Sequence, residues 1–140
     1  MNSGNLKMDR VWTATLPPVA LDWAVANCLG LGPIIKTTRQ GRKSVRIAIS
    51  NAPFSILYSP TSDVRQAHPV ILEKKIGFEW DKQLQLWVSP SLRPDFLSRL
   101  TGKTPLVAAM RCCVDLLSGE TTEIPLELLN YRDANADETA

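Results

Sequence analysis

Thr104-Pro105-Leu106-Val107-Ala108-Ala109-Met110-Arg111-Cys112-Cys113-Val114-Asp115-Leu116-Leu117-Ser118-Gly119 has the plainest grammar in the chain. Thr104 can cap a helix through its hydroxyl, Pro105 fits the first helical position, where no amide donor is needed, and Gly119 stands where a left-handed residue ends the last turn. Leu106, Ala109, Met110, Cys113 and Leu117 recur at helical spacing and draw one apolar stripe, with Arg111, Asp115 and Ser118 on the far side. A helix over roughly 105–118 follows, and its stripe needs an apolar surface to cover it. The pattern specifies a core and no chemistry.

Working outward, a second helix is expected over roughly 16–29, where Thr13 or Thr15 can cap, Pro17 and Pro18 fit the first turn and Gly30 can end it. Leu21, Ala24, Val25 and Cys28 form its stripe. Trp23 lies off that stripe, so it is either an exposed anchor for a partner or covered by a second layer; cover is the favoured reading. Val45, Ile47 and Ile49 alternate with polar or small residues as in a half-buried strand, and Ile34-Ile35 can open a preceding strand with Arg39-Gln40-Gly41 at the hairpin tip. Phe54 to Tyr58 reads as a short extended run, and Ser59 to Pro69 as a polar loop rich in turn formers. Val70 to Lys75 is then expected as a strand. Phe78-Glu79-Trp80 and Leu84 to Val88 flank Asp81-Lys82-Gln83 as a hairpin, and Pro94-Asp95-Phe96-Leu97 as a single helical turn. After Gly119, Ile124, Leu126, Leu128 and Leu129 can form an edge strand or a short docked turn.

A chain of 140 residues fits one domain, since domains commonly run to about 100–150 residues. The expected organisation is a flexible arm over residues 1–14, one α+β domain over 15–130 and a flexible acidic tail over 131–140. No apolar run approaches the roughly 20 residues of a membrane-spanning helix, and Met1 to Arg10 lacks the apolar stretch of a secretory signal. A cytoplasmic location and no membrane partner are therefore expected. Cys28, Cys112 and Cys113 are an odd count with two adjacent, which fits free thiols in a core better than disulfides. The net charge of +2 is unevenly distributed: residues 1–50 hold seven cations against two acids, and residues 115–140 one cation against seven acids. Such polarity can steer a charged partner, or bring the two ends of the chain together.

No catalytic set is evident. The sole histidine, His68, lies in the polar loop, and the cysteines are better placed on helices than around a metal, so no metal site or cofactor is expected. Gly102-Lys103-Thr104 lacks the upstream glycine of a phosphate loop. Ser59 or Ser62 with His68 and Asp63 would need a scaffold to aim them as a triad. Two surfaces remain. Tyr58, Ser59, Thr61, Asp63, Gln66 and His68 concentrate hydrogen-bonding groups in one loop, where binding residues often sit, although the same side chains can simply tie the loop's own backbone. Arg111 is a further candidate should a pocket join that loop to it or to Trp87. Lys36, Arg39, Arg42, Lys43 and Arg46 form a basic turn without acids, as a phosphate-contacting surface would, yet without the interleaved aromatics of a single-strand binder.

Three blocks of the chain resemble the NinX-like proteins of tailed phages and prophages, a family catalogued as a domain of unknown function. They are Ala20-Leu21-Asp22-Trp23-Ala24-Val25-Ala26, Tyr58-Ser59-Pro60-Thr61-Ser62-Asp63 leading to Pro69-Val70-Ile71, and Thr104 to Arg111. The family usually continues the middle block as Trp-Ala-Gln-Gly-Gly-Pro, where this chain has Val64-Arg65-Gln66-Ala67-His68-Pro69. The resemblance implies an accessory protein encoded by a phage or prophage and acting in the bacterial cytoplasm, and it supplies no catalytic residues.

The expected architecture is α+β, a mainly antiparallel sheet of about four or five strands with two principal helices packed on it. The leading functional expectation is a non-enzymatic binding protein acting on a host or phage macromolecule. Nucleic-acid binding through the basic turn is the first alternative, and a small-ligand-binding protein or enzyme built on the 58–68 loop the second. Oligomeric state is left open, a homodimer included.

Overall fold

The computed structural model describes residues 6–50, 53–94 and 97–131. The helix α3 (Pro105–Ser118) forms as its sequence dictates: the Thr104 hydroxyl accepts the Val107 amide at 3.2 Å, Pro105 opens the first turn, and Gly119 closes the last with φ 100°. Its burial is wider than a stripe. Every residue from Val107 to Asp115 is buried, while Leu117 at the end of the expected stripe is exposed. Arg111 and Asp115, on the far side of that stripe, are therefore interior groups.

The other central helix, α1 (Pro18–Cys28), packs against α3 and is buried on all sides from Ala20 to Ala26. Trp23 is covered, as favoured above. The helix starts two residues later than expected. Thr13 and Thr15 do not cap it; they lie in a 3-10 turn over Thr13–Thr15, where the Thr13 hydroxyl donates to the Gly119 carbonyl at 2.7 Å. The turn thus ties the entry of α1 to the exit of α3.

Among the described residues three antiparallel sheets stand around this pair, so the strand content is divided where one sheet was expected. Strand β1 (Met8–Trp12) pairs with β8 (Thr121–Pro125). Strands β2 (Ile34–Thr37), β3 (Lys43–Ala48) and β4 (Ser55–Leu57) form a meander in which Ile35 faces Val45 and Ile47 faces Ile56. Strands β5 (Glu79–Asp81), β6 (Leu86–Pro90) and β7 (Arg99–Gly102) form the third, with Trp80 opposite Trp87 and Trp87 opposite Gly102. α1 packs on β3 and β8, and α3 on β6 and β7. The short helix α4 (Leu126–Leu129) follows β8 directly, so the segment after Gly119 supplies both an edge strand and a docked turn.

Three expectations change. Residues 8–12, placed in the flexible arm, form β1, because their backbone finds a partner edge in β8; residues 1–5 lie outside the described residues. Residues 64 to 69, expected in the polar loop, and Val70 to Lys74 of the expected strand 70–75 form one helix, α2 (Val64–Lys74), which α3 packs against. Asp63 caps α2 by accepting the Arg65 amide at 2.9 Å, Ala67 and Val70 are its buried residues, and Lys75 ends it in the left-handed region. Pro69 sits inside this helix without stopping it. The segment 91–100, expected to hold a helical turn at 94–97, contributes Arg99 and Leu100 to β7; residues 95 and 96 lie outside the described residues, as does the tail from 132 onward. Among the described residues no helix is long and apolar enough to cross a membrane.

Two ion pairs join the basic first part of the chain to its acidic last part. Arg10 on β1 pairs with Glu123 on β8, and Lys43 on β3 pairs with Glu127 on α4, each at 3.2 Å.

Candidate functional site

A cleft of about 840 Å³ opens where four parts of the fold meet: the first turns of α1 (Pro18, Val19, Asp22), the β2–β3 hairpin (Thr38, Arg42 to Val45), the run from β4 to α2 (Leu57, Tyr58, Ser59, Thr61, Ser62), and the start of α3 (Thr104 to Val107). Its size lies in the upper part of the range for small-molecule sites, about 300–1,000 Å³. Apolar side chains from all four parts make most of the wall, and the polar groups are few and fixed.

Asp22 is the chief of these. It is the only polar residue in the buried run Ala20–Ala26, 5% exposed, and its carboxylate accepts the Thr61 amide at 2.9 Å and the Thr61 hydroxyl at 3.1 Å. Burial raises its pKa to about 7, against the opposing pull of the Thr61 amide and hydroxyl and the Ser59 hydroxyl. It therefore stands near its titration point at neutral pH. Tyr58 is buried beside it, and burial, with the Cys113 and Asp22 charges adding to the effect, pushes its phenol up to about 12. Ser59 and Ser62 hydrogen-bond to one another through their hydroxyls. Across the cleft, the Thr38 hydroxyl accepts the Arg42 amide at 3.1 Å and closes the hairpin turn, while the Lys43 ammonium is anchored by Thr37 at 3.1 Å and Glu127 at 3.2 Å.

Of the loop residues singled out in the sequence, Tyr58, Ser59 and Thr61 line this cleft. Gln66, Asp63 and His68 do not. Gln66, in the first turn of α2, ties the helix to the run before it, accepting the Ser59 amide at 2.6 Å and donating to the Leu57 carbonyl at 2.8 Å. Asp63 is the cap of α2 and is paired with Arg65, whose side-chain hydrogen bond holds its carboxyl below the usual range. His68 is exposed on α2. Arg111 lies elsewhere: its guanidinium donates to the Thr101 carbonyl at 2.7 Å and the Leu16 carbonyl at 2.8 Å, and burial lowers its pKa. The cleft accordingly joins the loop to the hairpin and to the start of α3, and not to Arg111 or Trp87.

The five cations of the basic turn do not form one strip. Lys36 and Arg46 share a face of the meander, Lys43 takes the other, and Arg46 is bonded to the Ser55 hydroxyl at 2.9 Å and carbonyl at 2.8 Å. Cys28 is half-buried, Cys112 and Cys113 are fully buried, and burial pushes the Cys113 thiol up to about 12. Among the described residues no group of three or more His, Cys, Asp or Glu side chains is placed to hold a metal ion.

Among the cleft residues that sequence reasoning missed are Asp22, Thr38 and Thr104. Asp22 had a signal: a lone carboxylate inside an otherwise apolar helical run must find a partner or lose its charge. Nothing local marks the other two.

Fold and site together define an α+β protein with an apolar-walled cleft, an acid in one wall and two bases in the other. All three blocks of the resemblance contribute side chains to that cleft: Asp22, the run from Tyr58 to Ser62, and Thr104 to Val107. The chain belongs to the family described as bacteriophage P22 NinX, whose model matches residues 13–115. It is a protein of a phage family. No curated protein matches it.

Proposed function

We propose that this protein is a phage accessory protein that acts by binding, and that the cleft is its ligand site. The observation that carries the reading is the placement of Asp22: a carboxylate held in the cleft wall by two hydrogen bonds from Thr61, inside a helix whose other residues are all apolar from Ala20 to Ala26. Burying an ionisable group there costs stability, which the two hydrogen bonds from Thr61 offset only in part. The loop that supplies Thr61 is fixed by Gln66, so the site is pre-formed.

A second reading rests on a different surface. Phe78 and Trp80 are 40% and 44% exposed and both contact half-buried Trp87 edge-on, making an aromatic patch on the β5–β6 hairpin of the kind that partner proteins cover. One experiment separates the two. Val19→Trp fills the cleft and Trp80→Ala strips the patch; each is compared with the parent protein for binding of a small-molecule fragment library by ligand-observed NMR, and for retention of host proteins on a column. Fragment binding abolished by Val19→Trp and untouched by Trp80→Ala is expected. Fragments that bind equally to all three, or none that bind, would remove the cleft reading. Retention of one host protein, lost only with Trp80→Ala, would put the patch in its place.

A further inference from the structure

The cleft's charges are arranged by sign, and this constrains what can occupy it. Asp22 lines one wall; Arg42 and Lys43, from the hairpin, line another, with Val19, Val45, Leu57, Pro105 and Leu106 among the apolar side chains between. From this arrangement we infer that the ligand is a nucleoside 5′-phosphate, its base presenting N–H groups to Asp22 and its phosphate lying at Arg42 and Lys43. The inference rests on the cleft being the ligand site.

The acid end selects for donors. Each Asp22 oxygen already accepts one hydrogen bond from Thr61, and the Ser59 hydroxyl also draws on the carboxylate, against about four acceptor positions in all. What remains is a smaller acceptor capacity, which suits a ligand N–H group. A guanidinium presents such groups, but Arg42 and Lys43 would repel its charge. An alkylammonium meets the same objection and would leave the apolar walls bare. Guanine has two adjacent N–H donors, is neutral, and has flat faces for the apolar walls.

The basic end selects for an anion. The Lys43 ammonium has three donors, of which Thr37 and Glu127 take two, so it is anchored with one donor in reserve. The helix α3 also begins at the cleft, with Thr104 and its first turn among the lining residues, so the positive end of its dipole adds to the field that an anion meets there. An inorganic phosphate would use this end alone and leave most of about 840 Å³ unfilled.

The test is calorimetric titration of the full chain with guanosine 5′-monophosphate, adenosine 5′-monophosphate, guanosine and inorganic phosphate, in parallel with the fragment screen above. The guanine nucleotide is expected to bind at least about tenfold more tightly than either guanosine or phosphate, and than the adenine nucleotide. Lys43→Gln should bring the nucleotide down towards guanosine while leaving guanosine unchanged. Asp22→Asn, which replaces one acceptor by a donor at nearly constant shape, should erase the preference for guanine; circular dichroism of both variants checks that they fold. Equal affinity for nucleotide and nucleoside, or a base preference that survives Asp22→Asn in a folded protein, would overturn the inference. Fragments bound in the cleft with no nucleotide bound would sink this inference and leave the binding reading standing. If nothing enters the cleft, both fall.

Discussion

Burial raises the Asp22 carboxyl from 3.8 to about 7 although Thr61 donates two hydrogen bonds to it. The folded chain therefore holds this proton more tightly than the unfolded chain does. The sign follows from linkage: the stabilising contribution is complete below about pH 4 and is lost as the pH rises through about 7. Asp63 and Asp81 have lowered values, Asp63 chiefly through the Arg65 side chain and Asp81 through the Leu84 amide, so their contributions are lost only as the pH falls through the acid range. In urea denaturation, the parent protein should lose on the order of 2–3 kcal/mol between pH 5 and pH 8, since each tenfold difference in proton affinity between the folded and unfolded chain is worth about 1.4 kcal/mol. Asp22→Asn should be nearly flat over the same window. A parent protein whose stability is level or rises from pH 5 to 8 would show that Asp22 is ionised throughout. How far such residues can be read from sequence depends on what periodicity measures. The helical period placed Arg111 and Asp115 off the α3 stripe, but it cannot say whether a second layer covers that side. Here one does: Arg93 and Ser91 meet the Asp115 carboxylate at 2.9 and 2.7 Å, and Arg111 bridges two carbonyls.

At the scale of elements, α3 was legible because cap, proline and terminal glycine agree with the apolar period, whereas α2 was hidden by His68-Pro69, which reads as a break. The signal that outweighs it is Asp63, whose carboxylate caps the first turn. β7 was hidden for another reason: Arg99-Leu100-Thr101-Gly102 is too short to show alternation, and it exists because β6 offers an edge. Gly102 shows how closely that strand lies on α3. A Cβ there would come within 2.6 Å of the Ala108 amide nitrogen and 2.8 Å of a Val107 methyl. The nearer atom is backbone, so it cannot turn aside as a side chain would. Gly102→Ala must push β7 away from the start of α3, and is expected to destabilise the fold by about 1–3 kcal/mol in denaturant melts. Because Thr104 to Val107 line the cleft, the same change should also weaken whatever binds there. Unaltered stability would mean that strand and helix can separate freely.

For the molecule as a whole, the question is which parts build the cleft and which only stabilise the frame around it. The cleft takes its walls from α1, the β2–β3 hairpin, the run from β4 to α2 and the start of α3; β1 and β8 contribute none of it. β1 instead covers β8 along five residue pairs from Met8–Pro125 to Trp12–Thr121, and the ladder continues at both ends, with the Leu126 amide donating to Lys7 at 2.7 Å and the Thr13 amide to Glu120 at 2.8 Å. This is also why the arm was illegible. Met8 to Trp12 alternates no apolar face, and only Val11 packs against the core, so the strand is held chiefly by backbone pairing and the Arg10–Glu123 bridge. Pairing of that kind leaves no mark in composition. Removing residues 1–12 should therefore bare the β8 edge and loosen Ile124, which is fully buried, without touching a single cleft residue. A lowering of the melting temperature by at least about 5 °C is expected, with a rise in aggregation, for a chain of this length. Below its melting transition, however, the truncated protein should bind cleft-directed fragments with the affinity of the parent. Loss of binding in a truncated protein that is still folded would mean that the cleft's shape is set by the whole frame and not by the four parts that line it.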